Sequence, residues 1–176
     1  MPPFESFDFS SFWKTSDYAT REYVDVTPNA ETLAEVEKRL GYKLPAAYVA
    51  LAGNQNGGMP IKTAHRTDAP TSWAQDHVAI TGIYSIGWEK ANSLCGSFGS
   101  QFWIEEWGYP DIGIYFADCP SAGHDMLCLD YRSCGPAGDP SVVHVDQEFD
   151  FKITAVAPSF EAFIGSLEDG ANFDID

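Results

Sequence analysis

Between Phe116 and Gly135 the chain reads FADCPSAGHDMLCLDYRSCG, which sets Cys119, Cys128 and Cys134 beside His124 and the acids Asp118, Asp125 and Asp130. Cysteine with histidine at this density is the raw material of a zinc site, and histidine next to aspartate that of acid–base catalysis. The spacing supports neither. Zinc sites are announced by close pairs such as C-x-x-C, whereas here eight residues separate the first two cysteines and five the next two. No metal or cofactor is therefore expected. Other candidates weaken in the same way. CGSFG around Ser97 lacks the first glycine of a G-x-S-x-G nucleophile elbow. Glu105 and Glu106 are adjacent, so their side chains diverge and cannot flank one glycosidic bond; a solvated helix face is the simpler reading. The NQNGG run at Asn54–Gly58 has no following Lys-Ser/Thr to make it a phosphate loop, and reads as a helix terminator. His144, in SVVHVDQE, reads as a strand residue with nothing local to orient it as a base.

The elements that would carry these residues follow from periodicity. VTPNAETLAEVEKRLGYKLP predicts a helix with Thr27 as N-cap, Pro28 in the first turn, Leu33, Val36 and Leu40 on one face, and Gly41 as a left-handed stop. A second, short helix is expected from Pro45, burying Tyr48, Leu51 and Ala52. Residues 61–73 are polar and turn-rich, which predicts a long loop, and HVAITGIYSIG predicts a strand burying Val78, Ile80 and Ile83. SFGSQFWIEEWGYP suits a short helix ending at Gly108. Four β-rich runs, DIGIYFAD, MLCLDYR, SVVHVDQE and DFKITAVA, are joined by connections too short for crossover helices, so an antiparallel meander is expected. Ser159 then caps a closing helix with Phe160, Phe163, Ile164 and Leu167 as its apolar stripe. The class is α+β: one antiparallel or mixed sheet of about four to six strands, flanked by N-terminal helices and a C-terminal helix, in a single domain over 1–176.

Charge narrows the partners. The formal net charge is −16, and it is lopsided: residues 1–100 hold eight Lys or Arg against eleven Asp or Glu, whereas residues 101–176 hold only Arg132 and Lys152 against fifteen acids. Such a chain repels phosphate backbones and anionic membranes, so no nucleic acid and no membrane is expected, and a basic protein is the natural partner. The start MPPFESFDFSSFW lacks the basic and apolar regions of a signal peptide. A cytoplasmic location with reduced thiols at Cys95, Cys119, Cys128 and Cys134 is expected.

The order of the motifs resembles the SUKH superfamily of bacterial immunity proteins and fungal cell-wall assembly regulators. The resemblance runs from about Thr27 to Leu167 and is carried by Glu37-x2-Leu40-Gly41-x2-Leu44-Pro45, Asn56-Gly57-Gly58, Leu129-Asp130-Tyr131, Glu148 after the Val-Val run, and Ser159-Phe160-x2-Phe163. It implies an α+β fold and a binding protein without a catalytic centre, many bacterial members neutralising toxins that are commonly nucleases. The chain departs from the usual glycine-rich acidic turn after Phe116, where Cys119 to His124 stand instead. On this basis the partner surface is expected to combine Asp118, His124, Asp125, Asp139 and the Glu105–Glu106 pair with Trp107 or Tyr109 as apolar anchors, in a monomer that masks a basic toxin domain. A regulatory adaptor of the fungal type is the alternative, and a small hydrolase or metalloprotein centred on His124 and Asp125 a distant third.

Overall fold

The computed structural model describes residues 2–173; the ends of the expected 1–176 domain, including Asp174 and Asp176, lie outside the described residues. The chain enters through an aromatic clasp in which Phe4, Phe7, Phe9 and Phe12 meet at ring separations of 4.6–5.7 Å. The backbone N–H of Phe4 donates to Glu161 near the opposite end of the chain. Helix α1 (Asp17–Glu22) follows, capped by Ser16 and ending at the fully buried Tyr23. Its six residues bury only Ala19. One apolar position is too little for a periodic pattern to announce.

Helix α2 (Ala30–Leu40) starts later than expected. Asn29 is its N-cap, accepting from the Thr32 N–H at 2.8 Å, so Thr27 is not the cap and Pro28 lies outside the helix. Asparagine is the stronger cap, which moves the start two residues on. Gly41 closes α2 in the left-handed conformation, its N–H bonded to the Glu37 carbonyl. Helix α3 (Ala46–Asn54) starts after Pro45 and buries Ala47, Tyr48, Leu51 and Ala52.

The stretch expected as a loop over 61–73 contains strand β1 (Ala64–Arg66), which pairs antiparallel with β2 (His77–Ala79). The strand read as continuous through HVAITGIYSIG is divided between β2 and β3 (Gly82–Ile83). The division occurs where Ile80 N–H bonds back to Thr63 and Thr81 N–H bonds to Asp118, so the backbone changes partners within two residues. After α4 (Ser100–Trp107), stopped by Gly108 in the left-handed conformation, come β4 (Gly113–Asp118), β5 (Asp125–Asp130), β6 (Ser141–Asp146) and β7 (Lys152–Ala157). They form with β3 a five-stranded antiparallel meander in sequence order. A 3-10 turn, Gln147–Phe149, joins β6 to β7. Helix α5 (Phe160–Gly165) is capped by Ser159, which accepts from the Ala162 N–H at 3.1 Å.

Strands β4, β5 and β6 are buried along nearly their whole length, so their sheet is covered on both faces rather than on one. Phe116 packs edge-on against Tyr48, Phe160 and Phe163, joining the sheet to α3 and α5. Tyr115 instead meets Tyr109 beyond α4. Among the described residues no helix is long and apolar enough to cross a membrane.

Candidate functional site

The motif residues around α2 and α3 meet at the junction of the helices with the sheet. The Glu37 carboxylate accepts from the Leu44 N–H at 2.6 Å, tying the end of α2 to the start of α3. The Tyr131 hydroxyl donates to the Lys43 carbonyl at 2.7 Å, and Asp130 holds Arg132 through two side-chain bonds. Asn56, 2% exposed, donates to the Val26 and Ile86 carbonyls and accepts from the Ile86 N–H. Beside it, Gly57 has φ +86°, and a Cβ there would sit 2.5 Å from the Tyr23 carbonyl oxygen. Gly58 exchanges backbone bonds with Ile83. These residues dock the helix pair onto β3 and β5.

The opposite end of the sheet gathers the chemistry-bearing side chains. Because β4 runs up to Asp118 and β5 returns from Asp125, the loop 119–124 sits at one end of the sheet. Asp146, the register partner of Asp125, joins it there. Asp125 and Asp146 are both buried, at 2% and 0% exposure. His144 Nε2 faces Asp125 Oδ2 at 2.7 Å, Ser121 donates to Asp125, and Ser72 donates to Asp146 from both its N–H and its hydroxyl. His144 Nδ1 and the Thr154 hydroxyl, from paired residues of β6 and β7, are buried without a partner among the described residues.

Cys119, Asp125 and His144 bring three ligand atoms within 4.8 Å of one another and are the residues that could hold a metal ion. Spacing rules miss this triplet because three separate elements contribute its members. The His144 Nε2 and Asp125 Oδ2 atoms already satisfy each other through the imidazole–carboxylate bond, so a metal held through those two atoms would have to break it. The Cys119 thiol is pushed well above its usual range, first by burial and then by Asp125 and Asp118, which disfavours the thiolate that a metal ligand or nucleophile requires.

The expected partner surface is only partly brought together. Asp125 and Tyr109 are buried, the latter donating its hydroxyl to the Gly123 carbonyl at 2.6 Å, so neither can touch a partner. Asp139 lies in the β5–β6 turn, at the other end of six-residue strands from Asp118, which separates the two by roughly 17–20 Å. Glu105, Glu106 and His124 are exposed. Trp107 packs edge-on against His124, whose Nδ1 meets Glu148 at 2.6 Å and Gln147 at 3.1 Å. Asp118 is half-buried, and both of its carboxylate oxygens lie 2.8 Å from the Tyr23 hydroxyl. Burial pushes its pKa up to about 6 against the lowering effect of that hydroxyl.

A cleft of about 250 Å3 opens beside Asp118. Its walls come from α1 (Tyr18, Glu22), the segment before α4 (Asn92, Phe98), α4 itself (Trp103) and the loop 119–124. Tyr18 and Phe98 are 47% and 46% exposed at its rim. Ala122 and Gly123 both have positive φ, and a Cβ on Gly123 would come within 2.7 Å of Trp103. The loop therefore lies tightly against the aromatic wall. Sequence reasoning named Asp118 but missed Tyr18, Glu22, Asn92 and Phe98, which converge from segments up to a hundred residues away.

A five-stranded antiparallel meander with a helix pair docked against it and a short closing helix defines an α+β domain with an open cleft at the loop end of the sheet. Residues 27–166 match the SMI1 / KNR4 family (SUKH-1), and the chain belongs to that family. Membership supports a protein-binding role of the toxin-immunity or Smi1/Knr4 type in general. No curated protein matches the sequence.

Proposed function

We propose that this protein is an immunity protein that masks a basic toxin domain, with no catalytic step of its own. The carrying observation is the uncompensated charge on α4. Glu105 and Glu106 on α4 have no ion-pair partner among the described residues. The two cations of the C-terminal part are engaged elsewhere, Arg132 by Asp130 and Lys152 by the Pro70 carbonyl. Exposed carboxylates on α4 and exposed aromatic rings at the cleft rim offer a basic partner fast encounter through the field and slow escape through the rings. The Cys119–Asp125–His144 group supports the non-catalytic reading, since its thiol is not activated and all three side chains are buried away from any substrate.

The test first looks for a secreted toxin encoded beside this protein and then uses the variable C-terminal domain of that toxin; the absence of such a neighbour would itself count against the reading. Association should slow about tenfold between low and physiological salt, because exposed charges are screened over ~8 Å at physiological ionic strength. Reversing Glu105 and Glu106 to Lys should slow association by at least a further ~tenfold while the circular dichroism spectrum stays unchanged. Full protection of co-expressing cells by the folded double variant, with association indifferent to salt, would overturn the reading. Capture of an endogenous enzyme from cells that contain no such toxin would favour the adaptor role.

A further inference from the structure

We propose that the cleft beside Asp118 is a socket for a single arginine side chain of the protein partner. The inference rests on the reading of the protein as a binder of basic proteins, and it assigns the point of recognition.

Three features of the cleft point to a guanidinium group. The first is an anion without a cation: Asp118 stands half-buried with no Lys or Arg paired to it among the described residues. Its only side-chain partner is the neutral Tyr23 hydroxyl. A carboxylate drawn out of water in this way gains from an incoming cation. The second is Asn92, which is 92% buried and lines the cleft, yet its side-chain amide makes no hydrogen bond among the described residues. Its backbone N–H donates to the Glu22 carbonyl, which fixes this segment against α1 and leaves the side-chain amide free for a ligand. The amide atoms are not sealed from solvent but open into the cleft, so a donor-rich ligand would bond the amide oxygen in place of water. The third is the pair of exposed rings, Tyr18 and Phe98, on the rim. Flat aromatic walls around an anion suit a planar, weakly hydrated guanidinium better than a compact ammonium.

The chain already makes one such contact. Arg21 lies over the Tyr18 ring at 5.5 Å and pairs with the Glu22 carboxylate at 2.9 Å. It reaches neither Asp118 nor Asn92 and does not line the cleft. An incoming arginine would therefore use Asp118 and Asn92 as its main anchors, with Glu22 shared. At about 250 Å3 the cleft is smaller than a drug-sized site, and its size matches one long side chain rather than a folded ligand.

The probe is the blocked tripeptide acetyl-Gly-Arg-Gly-amide, titrated into the full protein while the Trp103 indole and Asn92 side-chain amide signals are followed by nuclear magnetic resonance. Saturable shifts at ~1–10 mM are expected, the affinity one side chain can supply. The isosteric citrulline peptide should give no saturation, and the lysine peptide should bind about tenfold more weakly. Asp118→Asn and Asn92→Ala, each shown to be folded by its melting curve, should each weaken the arginine peptide about tenfold. Equal binding of the citrulline peptide, parity of lysine with arginine, no saturable shift, or unchanged affinity in a folded Asp118→Asn variant would each overturn the assignment. The peptide experiment uses no toxin. A toxin complex that forms normally with Asp118→Asn would sink the socket and leave the proposed function standing, whereas a functional socket without any toxin complex would sink the function.

Discussion

At the scale of single residues, burial against charge decides what each acid can do. Asp118 titrates at about 6 in the folded protein against an ordinary 3.8. Between those values the folded state keeps a proton that the unfolded chain has released, so this group's contribution to stability falls as pH rises from about 4 to 6 and is level above. Asp118→Asn removes that penalty and retains an acceptor for Tyr23. The variant should gain stability relative to the parent across the same interval, by about 3 kcal/mol at neutral pH. Urea unfolding of both proteins at pH 4.5 and pH 7.5 checks it; a difference independent of pH would count against the buried carboxylate. His144 presents the opposite case. Its removal leaves Asp125 and Asp146 side by side and buried without the imidazole, so His144→Ala should cost about 3–5 kcal/mol. A melting temperature within a degree of the parent's would show that the imidazole–carboxylate bond contributes little.

At the scale of elements, two glycines with nearly the same φ separate conformational strain from steric exclusion. Gly41 ends α2 at φ +82° with nothing near its Cβ position, so Gly41→Ala should cost only about 1 kcal/mol, the strain of the left-handed conformation. Gly57 has φ +86°, but its Cβ would press on the Tyr23 carbonyl and the Ser85 amide nitrogen at 2.5 and 2.8 Å. Both contacts are backbone and cannot rotate away. Gly57→Ala should therefore cost about 3 kcal/mol or more and loosen the docking of the helix pair on β3. Chemical denaturation of the two variants side by side measures the contrast, and equal losses would contradict it. On the closing helix, Phe160 and Phe163 are wholly buried against Phe116. Truncating either to Ala should remove about 3–5 kcal/mol. Binding would then be lost through unfolding, with the circular dichroism spectrum lost as well.

For the molecule as a whole, a net charge of −16 opposes compaction. Among the described residues most of the acids of the C-terminal part have no Lys or Arg paired with them, so added salt should stabilise the fold by screening. The melting temperature is expected to rise by about 3 °C between ~20 mM and ~300 mM sodium chloride. The same salt should slow association with a basic partner. Opposite responses of stability and association in one titration would distinguish long-range repulsion from a specific effect of the ions.

The sequence by itself determined the elements whose causes are local. The left-handed stops at Gly41 and Gly108, the Ser159 cap, and the four-strand run whose short connections permit only a meander were all legible, because each depends on a few neighbouring residues. The family was legible too, because its motifs keep their order along the chain. Local evidence misplaced the N-cap of α2 by two residues and missed α1 and β1, whose stability comes from partners far along the chain rather than from their own few side chains. Tertiary structure alone decided the site. Burial took Asp125 and Tyr109 out of the expected surface, and the hairpin geometry carried Asp139 to the far end of the sheet. Asn92 and Phe98 reached Asp118 through the segment before α4, which is tied by backbone bonds to Glu22 on α1 and to Ser85 after β3. Exposure and convergence depend on every segment packing at once, and no window of sequence contains that information.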